Sequence, residues 1–435
     1  MALGKIFFYS AKFLTKELKV HKFVASSILL VLLLFVFYTN PVRGAISSAG
    51  ADLPIINDAW FAALTAIKQD SGKDAIITSW WDFGHHFKSI TDRRVTFDGT
   101  TQTSPAAHWV GRLLMSSDEN EAIGILRMLD CGSSNAFGAI DGITKDTHLS
   151  LRIVKQIILL DKRDAEKALR NSKFSPEQTE KILSYTHCSP PEGYFIASED
   201  MIGKSGVWGH FGSWNFERAD LWQNARKMPQ EEAVEYMMKK FNYTQQRAEN
   251  IYFEMQSITS DRAANDWIAP WPGYAENGRV INCNKKNEVY VCDNGLQINM
   301  SSHDVFGIGQ QGIVRPKAAS FPTENGMIKK EFNGATLDFG IAVVQTGENS
   351  LGIVLSSKEL TGGMFTRMFY MQGHGLKYFK LFDHQRGLTG TDIYTYKIDW
   401  EGKNTTIVKE YVDFLKKPLP EPEINITTTN SVNGS

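Results

Sequence analysis

The sequence predicts an α+β fold: one N-terminal apolar helix, an α-rich core domain, and a β-rich module inserted into that core or appended to it. Three observations predict it. Apolar residues recur at helical spacing through residues 55–275, Asn-Gly turn pairs crowd residues 277–334, and one uncharged apolar stretch lies near the start. The composition suits a large buried core, since 42% of the 435 residues are hydrophobic and 11% are aromatic. A mean hydropathy of −0.26 excludes a chain made mostly of membrane spans. The formal charge of −1 gives no electrostatic footprint for nucleic acid, so no nucleic-acid partner is expected.

Residues 1–22 form a basic leader in which Lys5, Lys12, Lys16, Lys19 and Lys22 face only Glu17. Phe7, Phe8, Phe13 and Leu14 are interleaved with the lysines, a pattern suited to a helix on an anionic membrane face. From Phe23 to Tyr38 there is no charge, and Pro41 follows as a stop. A helix of that length measures about 24 Å, a little short of a ~30 Å hydrocarbon core. The stretch therefore predicts a transmembrane helix over 23–39, with a signal peptide and a buried core helix as rival readings. The long leader counts against a signal peptide. The positive-inside rule then gives a single-pass protein of the cell membrane, its N-terminus cytoplasmic and its bulk extracytoplasmic.

The α-rich core is expected over 45–276. Helices are predicted after the caps Asn57 or Asp58, over His108–Met115, Glu121–Leu129, Leu149–Leu160, Ser175–Tyr185 and Glu231–Met255. Ala75-Ile76-Ile77-Thr78 is a short buried strand. A β-rich insertion follows over 277–347, and residues 348–413 return to the core. That return carries a helical patch over Gly363–Phe382 and closing strands near Ile393–Ile398 and Thr406–Val412. The Pro-, Asn- and Thr-rich residues 414–435 are expected to be a disordered tail. Four cysteines can pair as Cys131–Cys188 and Cys283–Cys292, the second pair bracketing a hairpin; free buried thiols are the alternative. Five N-x-Ser/Thr sequons, at Asn242, Asn299, Asn404, Asn425 and Asn433, agree weakly with an outside location.

The densest chemical signal is Thr78-Ser79-Trp80-Trp81-Asp82-Phe83-Gly84-His85-His86. Two adjacent indoles after a buried strand fit a strand-to-helix turn better than regular structure. Such a turn makes a dry aromatic niche with one strong acceptor, suited to a ligand hydroxyl. The plainer reading is two core tryptophans and an N-cap aspartate. A zinc hydrolase built on His85 or His86 with His108 or His210 lacks any H-E-x-x-H or C-x-x-C spacing. Walker loops, nucleophile elbows and dinucleotide fingerprints are also missing from the sequence.

Trp80-Trp81-Asp82-Phe83-Gly84 resembles the W-W-D-Y-G signature of the oligosaccharyltransferase catalytic subunits. The segments Asp92–Gly99, Leu129–Gly132, Thr186–Glu192, Ser198–Lys204 and Gly373–Lys380 also resemble archaeal members. The resemblance implies that the chain is the C-terminal soluble domain of such an enzyme plus one transmembrane helix. The family transfers a lipid-linked oligosaccharide to the Asn of an N-x-Ser/Thr sequon, and its Trp-Trp-Asp motif forms the pocket for the hydroxyl. Asp82 would accept the hydroxyl hydrogen bond, with Trp80 and Trp81 as walls. Met201 and Lys204, from Asp200-Met201-x-x-Lys204, would complete the acceptor-sequon site; a plain surface ion pair is the rival reading of Asp200 and Lys204.

Phe83 replaces the usual Tyr, and His85 replaces a second aromatic. The family's divalent metal, Mn or Mg, is held by acidic loops between many N-terminal spans. Here residues 1–55 hold only Glu17 and Asp52, so no catalytic and no metal residue is assigned in this chain. The implied partners are an acceptor polypeptide, a lipid-linked oligosaccharide, the membrane and a multi-spanning N-terminal part or subunit, without which the enzyme is incomplete. The rival reading is a non-catalytic sequon-binding or scaffold protein derived from the family.

Overall fold

The computed structural model describes residues 2–38, 42–51, 55–310, 312–347, 350–388, 390–403 and 405–416. The chain divides after Asn57 into two units.

The first unit is helical, with helices Ala2–Lys16, Lys22–Phe37 and Arg43–Ala51. The leader helix leaves Ile6, Phe8, Tyr9 and Phe13 exposed among its lysines. His21 Nδ1 accepts from the Phe23 amide and caps the second helix, which is uncharged after Lys22. That helix has 16 residues, and no helix among the described residues is long and apolar enough to cross a membrane. The expected span over 23–39 is thus seen as a helix too short to count as one, because it ends at Phe37. Pro41, the expected stop, lies outside the described residues, as do Asp52, the sequon asparagines Asn404, Asn425 and Asn433, and residues 417–435 of the expected tail.

The second unit is built on a five-stranded sheet. Its strands are β1 (Ile76–Thr78), β2 (Arg94–Val95) and β3 (Gly193–Ser198), joined late in the chain by two more. Between them in sequence runs a nine-stranded sheet: β4 (Ile281–Lys286), β5 (Val289–Cys292), β6 (Gln297–Asn299), β7 (Asp304–Gly309), β8 (Gly312–Val314), β9 (Ala318–Thr323), β10 (Gly326–Glu331), β11 (Gly340–Gly347) and β12 (Ser350–Ser356). The chain then returns as β13 (Phe379–Arg386) and β14 (Asp392–Ile398). The first sheet has the order β13-β14-β3-β1-β2, with β1 parallel to both neighbours and β14 antiparallel to β3. β1 and β3 are buried along their whole length, as a sheet covered by helices on both faces requires.

Helices fill the stretch between β2 and β3 and the stretch after β3. Helix Ala106–Met115 crosses helix Ser205–Gly212 at a glycine pair. A Cβ on Gly111 would stand 2.3 Å from the Trp208 carbonyl oxygen, and one on Gly212 would stand 2.4 Å from the Gly111 carbonyl carbon. The two backbones therefore touch only because both residues lack side chains. That approach brings Trp208, wholly buried, into the main core beside Phe365.

Both expected cystine pairings form. Cys131–Cys188 ties the end of helix Glu119–Gly132 to the loop after helix Pro176–Thr186, and Cys283–Cys292 joins directly paired residues of β4 and β5. The hairpin turn contains Asn287 at φ 57°, a conformation Asn tolerates better than most residues. The expected helical patch over Gly363–Phe382 is instead a single π turn, Thr366–Tyr370, followed by β13. The expected strand at Thr406–Val412 gives way to helix Lys409–Lys416, because Tyr411 and Phe414, three residues apart, bury one face. Residues 414–416 therefore belong to a helix and not to the tail.

Asp130 carries a pH-dependent cost. It is almost wholly buried beside the Cys131–Cys188 bridge, and neither carboxyl oxygen has a partner. Burial pushes its pKa well above the usual carboxylate range, only partly opposed by Arg94. The folded state thus holds a proton that the unfolded state releases near pH 4, and stability falls as pH rises above that value. Asp130→Asn is expected to remove this slope; urea titrations of both proteins from pH 5 to 8 check it, and parallel slopes would contradict it.

Candidate functional site

The site grows from the C-terminal end of β1. Ser79 donates to the Ile196 carbonyl of β3 at 2.9 Å, and Trp80 continues extended at φ −67°, ψ 144°. The chain then bends through one 3-10 turn, Trp81–Phe83, into helix Gly84–Thr91. Glycine is required at the junction, since a Cβ on Gly84 would stand 2.6 Å from Asp98 Cβ and 2.8 Å from the Phe97 carbonyl oxygen. The two indoles part at this bend. Trp80 turns inward, 3% exposed, with its ring 5.6 Å from Phe97 and 6.3 Å from Phe211. Trp81 stays half-buried and packs on the core from its edge.

Asp82 occupies the middle of the turn. Its Oδ1 lies 3.2 Å from Lys204 Nζ. Its Oδ2 is shielded from solvent and has no hydrogen-bond partner. Buried carboxylate oxygens nearly always have one, so this atom is primed for a donor from elsewhere. The side chain as a whole is 25% exposed, and its Cβ–Cγ torsion is soft.

Lys204 reaches Asp82 from a segment far away in sequence. β3 ends at Ser198, whose hydroxyl donates to Asp200 Oδ1 at 2.6 Å; the short helix Asp200–Gly203 follows, and Lys204 sits at its junction with helix Ser205–Gly212. The ammonium lies 2.7 Å from Asp200 Oδ2 and 5.1 Å above the Phe83 ring. It is thus held by two carboxylates over an aromatic face. These pairs are partly exposed and add little to stability. Their effect is to occupy one oxygen of Asp82 and leave the other available.

Met201, expected to complete the acceptor-sequon site, is 1% exposed and lies beneath the turn. Its Sδ accepts from Ser79 Oγ at 3.6 Å, and its carbonyl accepts from Trp208 Nε1 at 2.9 Å. Trp80 and Met201 form the floor, while Trp81, Asp82, Phe83 and Lys204 remain partly open. Sequence reasoning placed Phe83 in the motif but missed the roles of Ser79 and Trp208. Trp208 follows Met201 by seven residues, the one helical-spacing signal that could have found it.

A second charged cluster stands beside the turn. Asp98 is buried, takes Thr100 and Thr101 donors, and pairs with Lys88, while His85 Nδ1 is 3.7 Å away. Burial would raise its pKa, but the Lys88 and Thr100 hydrogen bonds hold the carboxyl well below its usual range. The histidines named in the hydrolase reading do not converge. His85 and His86 are exposed, whereas His210 is buried, bonds to the Ala269 carbonyl at 3.1 Å and stacks on Trp271 at 3.8 Å. Among the described residues no group of three His, Cys, Asp or Glu could hold a metal ion.

Over 171 residues the chain is 37% identical to a dolichyl-phosphooligosaccharide-protein glycotransferase of Methanococcus voltae, and over 169 residues it is 36% identical to that of Methanocaldococcus jannaschii. The chain is related to the archaeal oligosaccharyltransferases. Each match covers 38% of this chain and 18% of the relative, so the chain spans under a fifth of those enzymes. No family model matches. The C-terminal domain of PglB from C. jejuni aligns over 79% of this chain and 100% of its own, at 12% identity and a TM-score of 0.36, too remote to carry an argument.

Proposed function

We propose that the unit from Asp58 onward reads the N-x-Ser/Thr sequon for an oligosaccharyltransferase, and that Asp82 is the acceptor of the sequon hydroxyl. The observation that carries this is the buried, unpartnered Oδ2 of Asp82, beside an Oδ1 already held by Lys204. A Thr or Ser hydroxyl would donate to that oxygen. An Ala at the same position would leave it desolvated and unpaired, a penalty that discriminates more strongly than lost contact area. Trp81, half-buried at the edge of the turn, is the indole placed to cover the bound side chain, while Trp80 and Met201 hold the floor. Asp200 and Phe83 fix the Lys204 ammonium.

Within that reading the whole activity is transfer of a lipid-linked oligosaccharide to the Asn amide. The metal ligands and the lipid-linked donor would be held by a multi-spanning part of the enzyme. The helix Lys22–Phe37 and the basic leader would lie at the membrane, and the second unit outside the cell, where two disulfides persist. The test is glycosylation of a labelled N-x-Thr peptide by the full chain, with and without membranes from the source cells. Transfer that needs both chain and membranes, and that fails for an N-x-Ala or Gln-x-Thr peptide, is expected. Transfer unaffected by omitting the chain would contradict the proposal.

A further inference from the structure

A second concavity adjoins the turn and has no assigned role. It holds about 360 Å³, and Trp109, Phe137, Phe211, Trp214 and Phe216 line it with His108. Its wall is shared with the sequon site, since the Phe211 ring also packs 6.3 Å from Trp80. Thr103, Ser104 and Thr147 bring hydroxyls to the same lining, and one further polar atom in it is unusual. His108 is more than nine-tenths buried, at 8% exposure, and its Nε2 has no hydrogen-bond partner. Its Nδ1 is 2.8 Å from the Phe211 carbonyl oxygen, which can only accept, so Nδ1 carries the proton. Burial, helped by Lys155 and Arg112 and opposed by the Phe211 hydrogen bond and Glu121, pushes the imidazole pKa down to about 4. The ring is therefore neutral at pH 7, and Nε2 keeps a bare lone pair, shielded from solvent among aromatic rings.

The ligand that suits such a cavity is an aromatic body with a hydrogen-bond donor for His108 Nε2. A sugar would turn most of its hydroxyls toward aromatic rings and leave those unpaired. A polyisoprenoid chain would bring no donor and leave Nε2 as it is. A phenol or an indole matches in shape and carries a donor for Nε2. We propose that this cavity takes a tyrosine or tryptophan side chain of the acceptor polypeptide close to its sequon, with the phenol O–H or indole N–H donating to His108 Nε2. The proposal rests on the sequon reading of Asp82. Because Phe211 touches both sites, an extended chain at 3.3–3.6 Å per residue bridges them within about six residues.

The test is a binding scan with the full chain and fluorescent N-x-Thr peptides, each carrying one Tyr, Phe or Ala within six residues of the Asn. At one position Tyr is expected to bind about 3- to 10-fold more tightly than Phe, the worth of one neutral hydrogen bond, and both more tightly than Ala. His108→Phe is expected to erase the Tyr-over-Phe difference while leaving the N-x-Thr over N-x-Ala preference intact, which also shows that the variant is folded. Binding of p-cresol to the wild-type chain, with a shift of the His108 Nε2 resonance that toluene does not produce, supports the same contact without any variant. A scan in which Tyr and Phe are equal at every position overturns the proposal. The two readings fail separately, because equal affinity for N-x-Thr and N-x-Ala peptides is what would sink the sequon reading.

Discussion

Asp82→Ala is expected to weaken binding of an N-x-Thr peptide by about 10- to 100-fold, the worth of one hydrogen bond to a charged acceptor. The variant should also bind N-x-Thr and N-x-Ala peptides alike. The effect is chemical rather than structural, because Asp82 lies on a solvent-facing turn and Lys204 keeps its second partner, Asp200, at 2.7 Å. Thermal unfolding should therefore change little. Asp82→Asn is the sharper control, since an amide of the same shape loses the charge and the Lys204 pairing; it should retain only part of the preference. Titration calorimetry with the two peptides reads both effects. A variant that still prefers N-x-Thr would show that the hydroxyl is bound elsewhere.

Replacing Cys131 and Cys188 together by Ala should cost about 4 kcal/mol, whereas replacing Cys283 and Cys292 should cost about 3 kcal/mol. The separations decide the order: the paired cysteines are 57 positions apart in the first bridge and 9 in the second, and a longer loop frees more chain entropy when cut. The first bridge also ties two helices of the α-rich core, so its loss should loosen that core, including the unpaired Asp130 beside it. Urea denaturation of the two double variants gives the comparison. Equal losses would mean that the unfolded chain is compact enough to hide the difference in loop length.

Much of the site was legible because its signals are local. The short apolar strand, the adjacent indoles that no regular element accommodates, and the glycine after Phe83 all fall within ten residues, and the structure turns there. The Cys283–Cys292 hairpin was legible for the same reason, with its turn residues between the cysteines. What could not be read depends on distant partners. Lys204 meets Asp82 only because β3 lies beside β1, a parallel pairing across more than a hundred residues. The inward position of Met201 follows from Ser79 and Trp208, which the spacing of Asp200 and Lys204 does not reveal. β13 was hidden inside an apolar patch that also fits helical spacing, and only its antiparallel partner β14 decides between them. The His108 cavity depends on the Gly111–Gly212 approach, and a lone histidine at an apolar position carries no sign of that in the sequence.

The most direct measurement of the central claim is a structure of the chain with a bound N-x-Thr peptide. The Thr hydroxyl is predicted to lie within hydrogen-bond distance of the Asp82 carboxyl oxygen not held by Lys204, with Trp81 against its methyl group. A bound peptide whose Thr hydroxyl lies away from Asp82, with that oxygen still unpaired, would contradict it.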